Sequence, residues 1–165
     1  MSNTVEAVHE YTQSVETVYA AFTDPDFYVG KFEGIGARQV EVLSSASEDG
    51  VFTVETTRDV PLEVPGALKS FLGGWTTIIQ NEEWTETEDG EYVNDLVLTS
   101  DGVPATIAGT MHLYPTDNGC VNEVTITIDC KIPLVGGKLE RFVGGSTAGQ
   151  LADEFEFIQH YLEEL

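Results

Sequence analysis

Residues 106–130, TIAGTMHLYPTDNGCVNEVTITIDC, carry the pattern that decides the fold. Two runs rich in Thr, Ile and Val flank Asn118-Gly119, and Asn-Gly between alternating apolar residues is the strongest short-range mark of a β-hairpin. A two-residue turn there sets Asp117 opposite Cys120, Met111 opposite Ile126 and Leu113 opposite Val124, so the apolar faces agree. The same punctuation recurs upstream at Asp49-Gly50, Asp89-Gly90 and Asp101-Gly102. Four hairpins in series predict antiparallel strands near residues 38–44, 51–60, 76–84, 92–99, 106–114 and 121–132. Residues 61–74, PLEVPGALKSFLGG, break the rhythm with two prolines and a glycine pair and read as a longer connection.

Strand parity then sorts side chains. A two-residue turn at Asp101-Gly102 puts Leu96 opposite Ile107 and Leu98 opposite Ala105, giving an inward set of Leu96, Leu98, Ile107, Met111, Leu113, Val124, Ile126, Ile128 and Cys130. His112 faces outward. In the first hairpin, Val40 and Val42 share a face with Phe52 and Val54, which extends the inward parity to Arg38, Thr56 and Arg58. One register of the next strand brings Ile78, Gln80, Glu82 and Trp84 inward. A buried Glu82 requires a partner, and Arg58 on a neighbouring strand is the candidate. The leading reading of the pair is a salt bridge or solvated strand ends, and the lesser alternative is that Arg58 anchors a ligand carboxylate.

Outside the hairpins the period changes. Residues 5–11 alternate imperfectly and read as a first strand. Ser14 is a helix N-cap for a stripe of Val15, Val18, Tyr19 and Phe22, and Asp24-Pro25 starts a second short helix that packs through Phe27, Tyr28 and Phe32. After Pro133, Ala148, Leu151, Phe155, Ile158, Leu162 and Leu165 recur three and four apart, the signature of a long amphipathic helix. Gly144, Gly145 and Gly149 sit within it, each costing about 1 kcal/mol relative to Ala, and mark a kink, a break or a close approach of another backbone.

Composition narrows the function. The 165 residues, 41% hydrophobic and 22% charged, suffice for one domain, residues 1–165, with a sizeable core. The longest run without Asp, Glu, Lys or Arg, residues 102–116, is too short to span a bilayer. No membrane insertion is expected. The N-terminus lacks a basic and then apolar leader, so the expected location is cytoplasmic. With 29 acidic and 7 basic residues, a net charge of −22, the chain offers no basic footprint for nucleic acid. That acidity is either a solvated shell that maintains solubility or an adaptation to a salty cytoplasm. Cys120 and Cys130 on one extended strand would lie about 33 Å apart, which excludes a disulfide between them.

Several motifs together resemble a bacterial family of uncharacterised function in the START and plant-allergen-like (SRPBCC, polyketide-cyclase-like) superfamily. They are His9-Glu10-Tyr11, Thr23-Asp24-Pro25, Phe71-Leu72-Gly73, Gln80-Asn81-Glu82-Glu83-Trp84, Gly102-Val103-Pro104 with Ala108-Gly109-Thr110, and the run Ile132-Pro133-Leu134-Val135-Gly136-Gly137-Lys138-Leu139-Glu140. The resemblance implies an α+β helix-grip fold: a curved antiparallel sheet of about seven strands, two short helices after strand 1, and a long C-terminal helix, with an apolar cavity between sheet and helix. It also implies binding of a lipid, fatty acid, sterol or polyketide-like molecule.

The leading expectation is therefore a non-catalytic carrier whose hydrophobic ligand meets Tyr11, Arg58, Glu82, Trp84, Leu96, Leu98, Met111, Ile126 and Phe155, with residues 61–74 near the mouth and Phe71 and Trp75 as a candidate lid. An alternative is a cyclase or dehydratase-type enzyme using Glu82 as general base and His9 or Tyr11 as proton donor. A third is an interaction or assembly module, whose acidic shell would favour a basic protein partner. No cofactor is expected. Glu156 and His160 share a helix face without an evident third metal ligand, and no phosphate-binding glycine motif is present.

Overall fold

The structure, a computed structural model, describes residues 2–61, 74–100 and 104–165. Asp49 and Gly50 adopt φ of 53° and 80°, the left-handed pair that a two-residue hairpin turn requires. They join β2 (Arg38–Glu48) to β3 (Val51–Pro61), with Glu48 opposite Val51. The meander continues through β4 (Trp75–Glu86), β5 (Tyr92–Ser100), β6 (Ala105–Thr116) and β7 (Gly119–Cys130). β1 (Ser2–Tyr11) closes against β7, so the antiparallel seven-stranded sheet has the order β1-β7-β6-β5-β4-β3-β2. Two short helices, α1 (Val15–Phe22) and α2 (Pro25–Gly34), link its two edges. Both caps read from the sequence are present: Ser14 accepts from the Thr17 amide at 3.2 Å and Asp24 from the Asp26 amide at 3.0 Å.

Two hairpin registers differ from expectation by a pair of residues. Met111 faces Val124 rather than Ile126, and Leu98 rather than Leu96 faces Ile107. In the first case the turn residues are Asp117 and Asn118, and Gly119 opens β7 instead. Gly119, at φ 148°, is required by a close approach: a Cβ there would collide with the Tyr11 carbonyl and the Thr12 backbone. A shift of two preserves parity, so the inward set remains inward. Arg38 is the exception. Irregularities in β2 between Arg38 and Glu41 and between Val42 and Ser44, with Gln39 at φ 53°, keep Val40 and Val42 on the core but turn Arg38 outward. Its guanidinium lies over the exposed Trp75 ring, 3.6 Å from the centroid.

The C-terminal helix α3 (Gly136–Glu163) runs unbroken through its glycines. Its buried face carries Leu139, Leu151, Ile158 and Leu162, while Ala148 and Leu165, expected in the apolar stripe, are exposed and Phe155 is half-buried. Buried Glu140 ties the helix to the sheet by accepting from the Cys130 amide at 2.9 Å. The helix rests on β1, β7 and α2. Gly144 is the close approach: a Cβ there would come within 2.7 Å of the Asn3 amide oxygen. Gly145 faces open space. Gly145→Ala is therefore expected to raise stability by about 0.5–1 kcal/mol, whereas Gly144→Ala must displace Asn3 and should gain less. Equal gains in urea titrations of the two variants would contradict this packing.

Cys120 and Cys130 are separate buried thiols on β7. Among the described residues no helix is long and apolar enough to cross a membrane.

Candidate functional site

Because α3 leans on the β1–β7 side of the sheet, it does not cover the side formed by β3 to β6, and among the described residues a cavity of about 370 Å³ opens there. Its apolar wall is built from Ile78, Leu96, Leu98, Ile107, Met111 and Ile126. The helix contributes small residues to the opposite wall, among them Gly145, Ser146 and Gly149, which keep the space open. Gly145, Gly149, Pro61 and Asp153 are exposed, and together they mark the mouth. Beyond Pro61, the connection expected near the mouth, with Phe71, lies outside the described residues.

A second space of about 30 Å³ adjoins the first and shares Lys31, Met111, Leu151 and Glu154 with it. Of the residues singled out in the sequence, Arg58, Leu96, Leu98, Met111 and Ile126 line the large cavity, and Glu82, Trp84 and again Met111 line the small one. Tyr11 and Phe155 line neither. β1 lies where α3 presses on the sheet, so its inward side chains are consumed in packing: Tyr11 meets Phe22 and Phe155 edge-on at 6.4 and 5.5 Å, and Phe155 stacks on the His9 ring at 4.4 Å.

Glu82 and Arg58 both point inward from β4 and β3, as parity required, but they do not form an ion pair. Arg58 Nη1 donates to Gln80 Oε1 at 3.0 Å, and Gln80 Nε2 donates to Glu82 Oε2 at 2.5 Å. Glu82 Oε1 accepts from Asn94 Nδ2 at 2.7 Å and from the Tyr28 hydroxyl at 3.3 Å. Two amide donors therefore hold the carboxylate, while the Tyr28 hydroxyl shares its proton with the Phe22 carbonyl at 2.8 Å, and Gln80 stands between the charges because it sits diagonally across from Arg58, with Ile78 directly opposite. The guanidinium is 1% exposed and lies 3.8 Å from the Phe32 centroid. Burial pulls its pKa down to about 10 against the raising influence of Glu154 and Glu82. Burial, with the Glu82 charge, pushes the Tyr28 hydroxyl well above its ordinary range.

Lys31 and Glu154 were not singled out in the sequence. Lys31 Nζ lies 3.7 Å from Glu154 Oε1 and within 4.6 to 5.6 Å of the Phe32, Tyr28 and Phe27 centroids. Helical spacing could have found both: Lys31 follows Phe27 by four residues, and Glu154 falls between Leu151 and Ile158 on the buried face.

The outlying candidates fall elsewhere. His112 is on the outer face, 2.6 Å from Glu91, and Glu156 and His160 are exposed on α3. His9 is buried, lines the small space with Glu82, and has its pKa lowered below 6.5 by burial against an opposing pull from Glu154. The unfolded chain then binds the proton more readily, so His9 favours folding above pH 6.5 and this contribution is lost as pH falls through the folded-state value. Wild type is accordingly expected to lose more thermal stability between pH 7.5 and 5 than His9→Gln; parallel melting curves would contradict it.

The architecture recurs in solved structures. The crystal structure of TTHA0849 from Thermus thermophilus superposes with a TM-score of 0.62 at 18% identity, covering 96% of this chain and 97% of that one. Norcoclaurine synthase from Thalictrum flavum does so at 0.62 and 16% identity, covering 100% and 88%. Ara h 8.0201 gives 0.62 at 12% identity with both chains fully covered. These likenesses establish the plant-allergen-like, START-like helix-grip fold. In sequence, an uncharacterized protein of Mycobacterium tuberculosis is 26% identical over 143 residues, 82% of each chain. Residues 6–162 match a family model, and the chain belongs to that family, described as Protein of unknown function (DUF2505).

Proposed function

We propose that this protein, acting as one helix-grip domain, binds a hydrophobic small molecule in the gap between the sheet and α3. The observation that carries the reading is the 370 Å³ cavity itself, with an apolar sheet wall facing a helix that contributes the small residues Gly145, Ser146, Thr147 and Gly149 between the larger Phe142 and Leu151. Its size and its few convergent polar groups suit a small ligand. The fold supports the same reading, since a Thalictrum flavum norcoclaurine synthase of like architecture was solved in complex with dopamine and hydroxybenzaldehyde. Arg58, Leu96, Leu98, Met111 and Ile126 are the contacts, with Glu82 and Trp84 shaping the inner end. Catalysis by Glu82 has less support, because both its oxygens are already engaged by neutral donors.

Native mass spectrometry of protein purified from its own host, compared with the denatured mass, tests the proposal. A non-covalent adduct is expected, and it should be lost from Leu98→Trp, which places an indole in the gap. A clean mass, with no thermal shift across a panel of lipids and polyketides, would overturn the carrier reading and favour a surface interaction module.

A further inference from the structure

The wall of the cavity is not uniformly apolar. The chain has 7 basic residues against 29 acidic ones, yet two of the basic ones, Arg58 and Lys31, are buried with their charged groups 3.8 and 4.6 Å from the centroid of one ring, that of Phe32. Both line the large cavity, one from β3 and the other from α2. Their existing partners leave them under-used. Arg58 spends Nη1 on Gln80, but its Nε and Nη2 are buried and have no acceptor among the described residues. No carboxylate among the described residues lies within ion-pair distance of the guanidinium, and Glu82 cannot turn toward it without abandoning Tyr28, Gln80 and Asn94. Lys31 meets Glu154 only at 3.7 Å, longer than a hydrogen bond.

A buried cation with idle donors is costly, and a planar guanidinium with two adjacent free nitrogens matches the two oxygens of a carboxylate. Resting on the carrier reading above, we propose that the ligand is an apolar molecule bearing a carboxylate, seated with that group against Arg58 and Lys31 and its hydrocarbon part along Leu96, Leu98 and Ile107. Glu154, on the remaining side, sets the limit to one negative charge on the ligand. Asp153, exposed at the mouth, disfavours the reversed orientation, in which the carboxylate would sit there.

Competition on the intact protein distinguishes the head group from the cavity. The neutral fluorophore N-phenylnaphthylamine reports occupancy of the gap, and decanoate, methyl decanoate and decanol compete for it at pH 8. Decanoate is expected to displace the fluorophore at least about tenfold more effectively than the ester or the alcohol, the increment of one charge-assisted hydrogen-bonded pair. In Arg58→Gln the acid-to-ester ratio should fall to about one, and in Lys31→Gln it should fall several-fold, with circular dichroism verifying the fold. Lys138→Gln, exposed on α3, is the control expected to keep the wild-type ratio. Equal competition by acid and ester on the wild-type protein would overturn the head-group inference and leave the carrier reading standing; this comparison needs no variant to fold. An acid preference that survives in Arg58→Gln would overturn the role of Arg58. Failure of the fluorophore to bind would remove the carrier reading, and this inference with it.

Discussion

Trp84→Ala is expected to cost about 3–5 kcal/mol of stability, a large part of what a domain of this size possesses. The indole is 1% exposed and sits at the end of β4 where α1 docks. Phe22 lies 5.7 Å away and Tyr19 meets it edge-on at 5.8 Å. Tyr19 in turn stacks on Tyr92 at 3.7 Å, so removing the indole undercuts an aromatic series that joins helix to sheet. The space left cannot close, because β3 and β5 fix β4 on both sides. Urea unfolding with an unchanged slope should show the loss as a lowered midpoint. A cost below about 1 kcal/mol would mean that α1 is not held through Trp84.

Glu82→Ala should be comparably damaging, at about 3–5 kcal/mol, for an electrostatic reason. One deletion leaves the Gln80 and Asn94 amides without their carboxylate acceptor, and each buried orphan costs about 1–3 kcal/mol, whereas the Tyr28 hydroxyl keeps the Phe22 carbonyl at 2.8 Å. It also removes the negative charge that offsets Arg58 through Gln80. Glu82→Gln, which keeps an acceptor oxygen but adds a donor to a site already full of them, should fall between wild type and Glu82→Ala. A double-mutant cycle with Asn94→Ala measures the coupling, expected at about 1–3 kcal/mol. Strict additivity would show that the two side chains act independently.

How far the sequence reaches can be seen in these two residues. Trp84 and Glu82 were placed inward by a period of two alone, because each strand presents alternate residues to one face and a slip of two residues leaves that assignment intact. The hairpin registers slipped by that amount at Asn118-Gly119 without harm to the core. Arg38 failed because an irregular strand changes parity, and nothing in residues 38–44 announces a bulge. The Arg58–Glu82 pairing was half legible: the face was right, but whether charges touch depends on the diagonal neighbour, here Gln80. Tyr11 and Phe155 pack against each other outside both spaces, a placement set by the tilt of α3 across the sheet, which depends on three-dimensional packing. Lys31 was passed over for the opposite reason, as a lysine in a short helix ordinarily reads as solvated.

The placement of β1 beside β7 also governs how the chain is made. Strands β2 to β7 pair with their sequence neighbours and can form as the polypeptide emerges, whereas Tyr11 pairs with Cys120 and Ser2 with Asp129, more than a hundred residues apart in the chain. During synthesis the first strand must wait, unpartnered and bearing exposed Val8 on its outer face, until nearly all of the sheet has left the ribosome. Closure of β1 against β7 then supplies the surface on which α3 docks, so the gap between sheet and helix can form only after that closure.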